Sequence, residues 1–540
     1  IAAALAAGSA VVVKPAPQAA RCGSVLVDAL WAAGVPREVL HLVHVPENEV
    51  GRALISSPRV DRVILTGAFD TATLFRSFRP DLPLLAETSG KNAIVITPDA
   101  DLDLAVKDLV SSAFGHAGQK CSAASLGILV GSVATSQRFR SQLVDAVTSL
   151  TVGLPSDPRT QMGPIIEPAG GKLLSALTVL GPGESWLVEP RQLDKDGRLW
   201  SPGVKTGVRP GSEFHTCEYF GPVLGLMTAS TLEEAIALQN APEYGLTAGL
   251  HSLERSEIER WIDRVEAGNV YVNRSTVGAV VRRQPFGGWK KSAVGAGTKA
   301  GGPNYLVGLT DWSPAPATRL ATPGSAVQSL IEGAHRLGLD EDGVLARGAG
   351  SDAHAWAEEF GVVRDVSGLL AEKNLFRYLP VPVTIRVEDE NPTQVGFSPS
   401  ATAGSAQEPH QGAVLVDLLR VVAAGLAAGA PVIVSLGVGL PADVRRLLAD
   451  AAVDVVDEDD DVWTRTLRGA RAPGRVRLIG GSREAFAEAS QGRADIALYA
   501  QPVVEAGRVE LLAFLREQAV AVTAHRFGSP TPLAEGLLAP

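Results

Sequence analysis

One cysteine, Cys121, sits between a lysine and a serine in Phe114-Gly-His-Ala-Gly-Gln-Lys-Cys-Ser-Ala-Ala-Ser125, among small residues. A thiol attacks carbon as thiolate, and thiolates form beside positive charge, amide dipoles or a base. A candidate base precedes Cys121 by 34 residues: Glu87 closes the apolar run Leu84-Leu85-Ala86 and leads into Thr-Ser-Gly90-Lys-Asn92. Burial of that kind lifts a carboxyl pKa toward neutrality, where a general base works best. Cys22, on a helix face, and Cys217, ahead of Glu218, carry no such surroundings and read as structural. The nine histidines lack Cys or His partners at ligand intervals, so no metal site is expected.

These residues need elements to position them. Residues 1–90 alternate helix and strand. Val11–Val13 reads as a buried strand ending at Lys14-Pro15, Ala19–Ala33 as an amphipathic helix, Leu40–Val45 and Val60–Leu65 as strands, with a helix from about Asp70. Such alternation implies a parallel, doubly wound sheet with ligands at the strand C-termini, where Lys14 and Thr66-Gly67 fall. No Gly-x-Gly-x-x-Gly is present. Residues 91–285 form a second α/β unit. It has a strand at Ala93–Ile96, helices at Leu102–Phe114, Phe139–Leu150, Leu232–Asn240 and Ser256–Val265, a strand beginning at Glu218-Tyr-Phe-Gly-Pro, and another at Asn269–Asn273.

Gly-rich turns occupy 286–312, and 313–326 is a Pro/Ala/Ser/Thr-rich linker. Beyond it lies a third unit, 327–540, interrupted by a polar, turn-rich insertion at Glu388–Gln411 that is expected to be mobile. This unit echoes the first. Ala423–Val434 aligns without gaps on Ala2–Val13, Val476–Gly480 echoes Val63–Gly67, and Gln501 falls where Glu87 stood, with Ser435 in place of Lys14. The echo keeps packing residues and loses chemical ones, which implies a non-catalytic role.

A chain of 540 residues holds several domains. Its 46% hydrophobic and 20% charged content is that of a soluble globular protein. A net charge of −10 without basic clusters argues against a nucleic-acid partner. Three cysteines give no disulfide framework and fit a reducing cytoplasm. The apolar stretches Ile1–Val13 and Leu419–Leu440 are too short or too Gly-rich to span a membrane and read as helix, turn and buried strand.

Glu-Thr-Ser-Gly-Lys-Asn, then Gly-Gln-Lys-Cys-Ser-Ala, Glu218-Tyr-Phe-Gly-Pro222 and Gln284-Pro-Phe-Gly-Gly288, in that order, resemble the aldehyde dehydrogenase superfamily. The variant Asn273-Arg-Ser-Thr-Val-Gly278-Ala-Val-Val-Arg-Arg-Gln-Pro-Phe resembles its L-glutamate γ-semialdehyde (pyrroline-5-carboxylate) dehydrogenases, and within them the bifunctional proline utilization A proteins. Lys373-Asn-Leu-Phe-Arg-Tyr and Gln518–Gly528 resemble the C-terminal domain of that group's long members.

The resemblance implies an aldehyde dehydrogenase fold: a Rossmann-like NAD domain that is N-terminally incomplete (1–90), an α/β catalytic domain (91–285) and a β-flap for oligomerisation (286–312). After the linker (313–326) comes a degenerate Rossmann-like domain (327–540). It implies Cys121 as nucleophile and Glu87 as base. Lys14, Thr66, Gly67, Glu218 and Phe220 would hold NAD, with Glu218 on the nicotinamide ribose hydroxyls. Ala68 stands where a serine is usual, which removes one phosphate hydrogen bond. Ser122, Gly278, Ala279 and Phe286 would bind the substrate, the small residues exposing N–H groups to its carboxylate as a nest. Lys120 and Arg283 would add positive potential. A second oxyanion donor and a flavin-dependent proline dehydrogenase unit would lie ahead of Ile1, so FAD is not a cofactor of these residues. A homo-oligomer follows from the same resemblance. Two other readings stay open: an inactive fragment or scaffold, and an aldehyde dehydrogenase of another substrate.

Overall fold

The computed structural model describes residues 1–388 and 408–538; most of the turn-rich insertion, and the mobility expected of it, lie outside the described residues. At its centre is a ten-stranded sheet. Its order is Arg364–Asp365, Glu372–Pro380, Leu515–Thr523, Asn269–Val272, Thr247–His251, Asn92–Ile96, Ala124–Val130, Val223–Ala229, Gly203–Thr206 and Ser185–Val188. The strands from Leu515–Thr523 to Gly203–Thr206 run parallel, and the outer pairs are antiparallel. All five residues of Asn92–Ile96 are buried, as expected of a parallel strand covered on both faces. The helices Leu102–Phe114 and Leu232–Asn240, which pack on it, occupy the residues that periodicity predicts. Side chains of Asp101 and Thr231 cap them by accepting from Leu104 N–H and Glu234 N–H.

The sheet crosses the linker. Residues 372–380 and 515–523, both beyond 326, complete the sheet begun by the second unit, with Val520 beside Val270 and Leu375 beside Val520. Leucine, valine and alanine on the Leu515–Thr523 strand are buried against both parts of the chain.

The third unit also has its own five-stranded parallel sheet, in the order Asp454–Asp457, Val432–Leu436, Val383–Val387, Arg475–Ile479, Ala497–Tyr499. Leu419–Leu440, the second apolar stretch, divides into the end of a helix (Glu408–Ala427), a turn with Gly429 at φ 64° and the Val432–Leu436 strand. No helix among the described residues is long and apolar enough to cross a membrane. The end of this sheet is filled by its own side chains: Arg386 Nη1 donates to Ser435 Oγ (3.0 Å) and Glu458 O (2.7 Å), and Ser435 Oγ donates to Glu458 Oε2 (2.6 Å).

The doubly wound sheet expected over residues 1–90 is instead two separate pieces. Val11–Val13 pairs in parallel with Leu40–Leu42, and Val63–Thr66 pairs in parallel with Leu84–Glu87. The third unit explains the gap. There the equivalent pairs flank Val383–Val387, and no strand of residues 1–90 occupies that central place. The segment 286–312 folds back on this region. Trp289–Lys290 pairs with Tyr244–Gly245, and Ala293–Val294 runs antiparallel to Leu84–Glu87, with Ala293 beside Glu87. The strand expected from Glu218 begins at Val223, because Phe220 sits at φ 56° and breaks the extended backbone.

Candidate active site

The loop that carries Cys121 leaves the Leu102–Phe114 helix through three left-handed residues, His116, Ala117 and Gly118, at φ 55°, 54° and 67°. For the two non-glycine residues this costs about 1–2 kcal/mol each, so the surroundings must impose it. Gln119 does so by bridging two other segments: its Nε2 donates to Phe220 O (3.1 Å) and its Oε1 accepts from Ile166 N–H (2.8 Å). Gly118 packs on Gly221, where a Cβ would lie 2.2 Å from the carbonyl oxygen. Past the nucleophile, Asn92 Nδ2 donates to the carbonyls of Cys121 (2.7 Å) and Ala123 (2.9 Å), and Thr276 Oγ1 donates to Ser122 O (2.8 Å).

Glu87 ends its strand in register with Thr66 on one side and Ala293 on the other. Burial raises its carboxyl pKa, while Lys299 and a hydrogen bond from the Cys121 thiol pull it down. The thiol itself is pushed up to about 11 by burial and by the negative charges of Glu87 and Glu218. The charges that reach the sulfur are carboxylates, and Lys120 is not among them. The thiol is therefore protonated at rest and needs a base, and the carboxylate that acts on it most strongly, Glu87, is the candidate.

Glu218 Oε1 accepts from Gly90 N–H (2.9 Å), three residues past Glu87. Glu218, Phe220, Gly118 and Asn92 surround a small hollow beside the Cys121 loop. Phe220 is 38% exposed, a large apolar ring left open to solvent. On the other side of Glu87 lies a cavity of about 650 Å3, lined by Thr66, Glu87, Phe286, Lys299, Tyr305 and Glu517, among others.

The structure thus brings Cys121, Glu87 and Glu218 together, ties Ser122 to the 274–284 loop through Thr276, and sets Phe286 and Thr66 on the cavity beside Glu87. Gly278, at φ 88°, and Ala279 are exposed, and among the described residues their N–H groups donate to nothing within the chain. Lys14 lies at the end of the Val11–Val13 strand, on a different sheet from Thr66 and Gly67.

Four residues escaped the sequence reading. Glu372 and Asn374, on a strand of the third unit, hold the 274–284 loop. Arg274 Nη1 meets Glu372 Oε2 at 2.7 Å, and Gln284 Nε2 donates to Glu372 Oε1 (2.9 Å) and to Asn374 Oδ1. Lys299 and Glu517 stand behind Glu87, Lys299 N–H donating to Glu517 Oε2 (2.6 Å). A signal for the second pair was present: Leu515-Arg-Glu-Gln-Ala-Val-Ala-Val places charge inside an otherwise apolar strand, where an unpartnered acid is costly.

A family model described as the aldehyde dehydrogenase family matches residues 1–312. The chain belongs to the aldehyde dehydrogenase family. It is 34% identical over 314 residues to the 1-pyrroline-5-carboxylate dehydrogenase of Bacillus cytotoxicus, covering 56% of this chain and 60% of that relative. Proline utilization A (PutA) from Corynebacterium freiburgense superposes with a TM-score of 0.81 at 42% identity, over 98% of this chain and 48% of that one. A putative methylmalonate-semialdehyde dehydrogenase from Sinorhizobium meliloti, complexed with NAD, gives a TM-score of 0.53 at 26% identity, over 58% of this chain and 66% of that one. This aldehyde dehydrogenase chain spans about 60% of the length of the curated relatives it matches. The family match ends at the linker, whereas the PutA superposition runs through the third unit as well.

Proposed function

We propose that this chain carries the NAD-dependent oxidation of L-glutamate γ-semialdehyde, the open form of pyrroline-5-carboxylate, to L-glutamate. The observation that supports it most directly is the contact between Cys121 and Glu87 in a chain 34% identical to a 1-pyrroline-5-carboxylate dehydrogenase. Glu87 takes the thiol proton, and the thiolate attacks the aldehyde carbon. The Cys121 backbone N–H donates to the oxyanion so formed; one such donor is typically worth about 10²–10³ in rate. A nicotinamide held by Glu218 and Phe220 would supply the hydride acceptor, and loss of hydride from the hemiacetal carbon would leave Cys121 as a thioester. Glu87 then draws a proton from the water that attacks the thioester carbon; the C–S bond breaks, and the released thiolate regains a proton from the acid product, which leaves as carboxylate.

The residues present fit the nicotinamide end of a dinucleotide. Only one oxygen of Glu218 is engaged by Gly90, which leaves the carboxylate able to accept from two vicinal ribose hydroxyls, and the open ring of Phe220 lies beside it. Lys14, Thr66 and Gly67 are assigned to the other end of the cofactor. Their two sheets need the central strand that Val383–Val387 supplies in the third unit, and we assign that strand to sequence outside residues 1–540. A proline dehydrogenase unit in the same polypeptide and a homo-oligomer belong to this reading, supported by the likeness to proline utilization A. The three free cysteines suit a reducing cytoplasm.

Substrate selection falls to Ser122, Gly278, Ala279 and Phe286. The bond from Thr276 to Ser122 makes the nucleophile and the loop one unit, so a carboxylate held by the free N–H groups of Gly278 and Ala279 is fixed relative to Cys121.

The test is NAD⁺ reduction driven by pyrroline-5-carboxylate, using the natural polypeptide that contains these residues. Activity should vanish in Cys121→Ala. Turnover of another aldehyde with pyrroline-5-carboxylate inert would remove the substrate assignment and leave only the family.

A further inference from the structure

Oxidation of an aldehyde and water to a carboxylate by a nicotinamide releases two protons per turnover, and in the reaction proposed above both pass through Glu87. It takes one from the thiol and must lose it before it can take another from water. Glu87 is half-buried on the wall of the cavity, and a neighbouring group that receives its proton frees it for the second transfer.

We propose that Lys299, held in place by Glu517 of the third unit, takes up the proton from Glu87 and returns it to the solvent of the adjoining cavity. This rests on the reading of Cys121 and Glu87 given above. Lys299 is 4% exposed and lines the same cavity wall as Glu87, and the charges of the two side chains reach each other. Its Nζ donates to Asn269 Oδ1 (2.8 Å) and to Gly287 O. An ammonium has three donors, so one position remains for exchange.

Glu517 comes from the Leu515–Thr523 strand and is itself fastened. Its Oε2 accepts from Lys299 N–H (2.6 Å) and its Oε1 from Asn304 Nδ2 (2.8 Å). Asn304 Nδ2 also donates to Tyr378 OH (2.8 Å), which donates to Glu359 (3.0 Å). The groups facing the pair are thus Glu87, Tyr305, Tyr378 and Glu359, and the first and last are acids. Burial pushes the Lys299 ammonium down to about 7, against the raising effects of Glu517 and Glu87. An amine that titrates near neutrality is matched to accepting a proton from a carboxyl group and releasing it to water. The step balances: the O–H bond of protonated Glu87 breaks, an N–H bond forms on the neutral amine, and the ammonium loses that proton to water, with no electrons exchanged.

The experiment is rapid-mixing measurement of NADH formation in the natural polypeptide. If it lacks a burst and turnover, the functional reading fails and this inference with it. Given activity, Lys299→Met should keep the first turnover of NADH and slow the steady state by about 10²-fold, with small primary amines such as methylamine restoring rate. Lys299→Arg keeps the charge and the donors but cannot give up a proton, so it should be slow without rescue, and it serves if the Met variant fails to fold. Glu517→Gln should move the pH limb of the steady-state rate that tracks Lys299 deprotonation downward by about 1 unit or more, because a raising charge is gone. Unchanged steady-state rates in both Lys299 variants, or an unmoved limb in Glu517→Gln, would overturn the proposal.

Discussion

Arg274 and Glu372 meet at 2.7 Å across two units of the chain, the first on the loop of Gly278 and Ala279 and the second on a strand of the third unit. The third unit lacks the chemical residues of the first, yet it determines where that loop stands. Replacing Glu372 by Gln should raise KM for pyrroline-5-carboxylate about tenfold, equivalent to about 1.5 kcal/mol for one hydrogen bond to a charged group. It should leave KM for an aldehyde without a carboxylate unchanged. Equal effects on both substrates would show that Glu372 only stabilises the fold.

Gly118 supplies a second prediction. A Cβ there would lie 2.2 Å from Gly221 O, and the residue is left-handed. Gly118→Ala must therefore separate the Cys121 loop from the Phe220 turn. Near-attack geometry is sensitive to shifts of about 1 Å, worth roughly 10²-fold, so kcat/KM should fall by at least about that much. The unfolding midpoint should fall too, since a left-handed non-glycine residue costs about 1–2 kcal/mol, so kcat/KM is measured well below it. A variant with normal kcat/KM would show that this close approach does not position Cys121.

Cys121, Glu87 and Glu218 were legible as candidates because each sits in a short local motif, and helices such as Leu102–Phe114 were legible through their periodicity. The long-range pairings were not. Glu372 and Glu517 act on residues 88 and 218 positions away or more, and nothing local marks which loop a buried acid will face. The strand echo made the third unit's parallel sheet readable. It could not reveal that Leu515–Thr523 leaves that sheet to join the other, since an apolar strand packs equally well in either. That residues 1–90 lack the start of their domain follows from the resemblance, but strand patterns do not say which neighbour is missing, so the split into two pieces was not readable.

A third prediction concerns pH. His251 is fully buried, 3.6 Å from Asp108, with the imidazole pushed down to about 4 by burial. Between there and its unfolded value near 6.5 the unfolded chain binds a proton that the folded one does not, so stability falls as pH falls through that window. Asp108 is pushed up to about 6, also by burial, with Lys107 and Arg274 opposing. Between its unfolded value near 3.9 and there the folded chain holds the extra proton, so stability rises as pH falls. The two effects oppose each other. Asp108→Asn should expose the histidine effect alone, with urea stability at pH 5 about 2 kcal/mol below that at pH 7.5 and a smaller fall in the parent. A variant whose stability does not fall over that range would mean that His251 is not held neutral.

The last prediction couples the third unit to catalysis. Arg420 and Asp352 are fully buried and joined by two hydrogen bonds of 2.7 and 2.8 Å, on the helices Glu408–Ala427 and Val344–Ala355, which pack together over the third unit's five-stranded sheet. Arg420→Met leaves a carboxylate buried without its partner, and breaking such a pair costs about 3–5 kcal/mol. Replacing both residues with apolar ones of similar size removes the unpaired charge, so Arg420→Met combined with Asp352→Leu should recover most of that loss. Because the same unit supplies Glu372 and Glu517, unfolding it withdraws the brace of the substrate loop and the partner of Lys299. Heating Arg420→Met should therefore abolish NAD⁺ reduction at the temperature where the third unit unfolds, below the transition of the remaining fold, and the double variant should bring both back up together. Activity that outlasts the unfolding of the third unit would show that residues 1–312 hold their site without it.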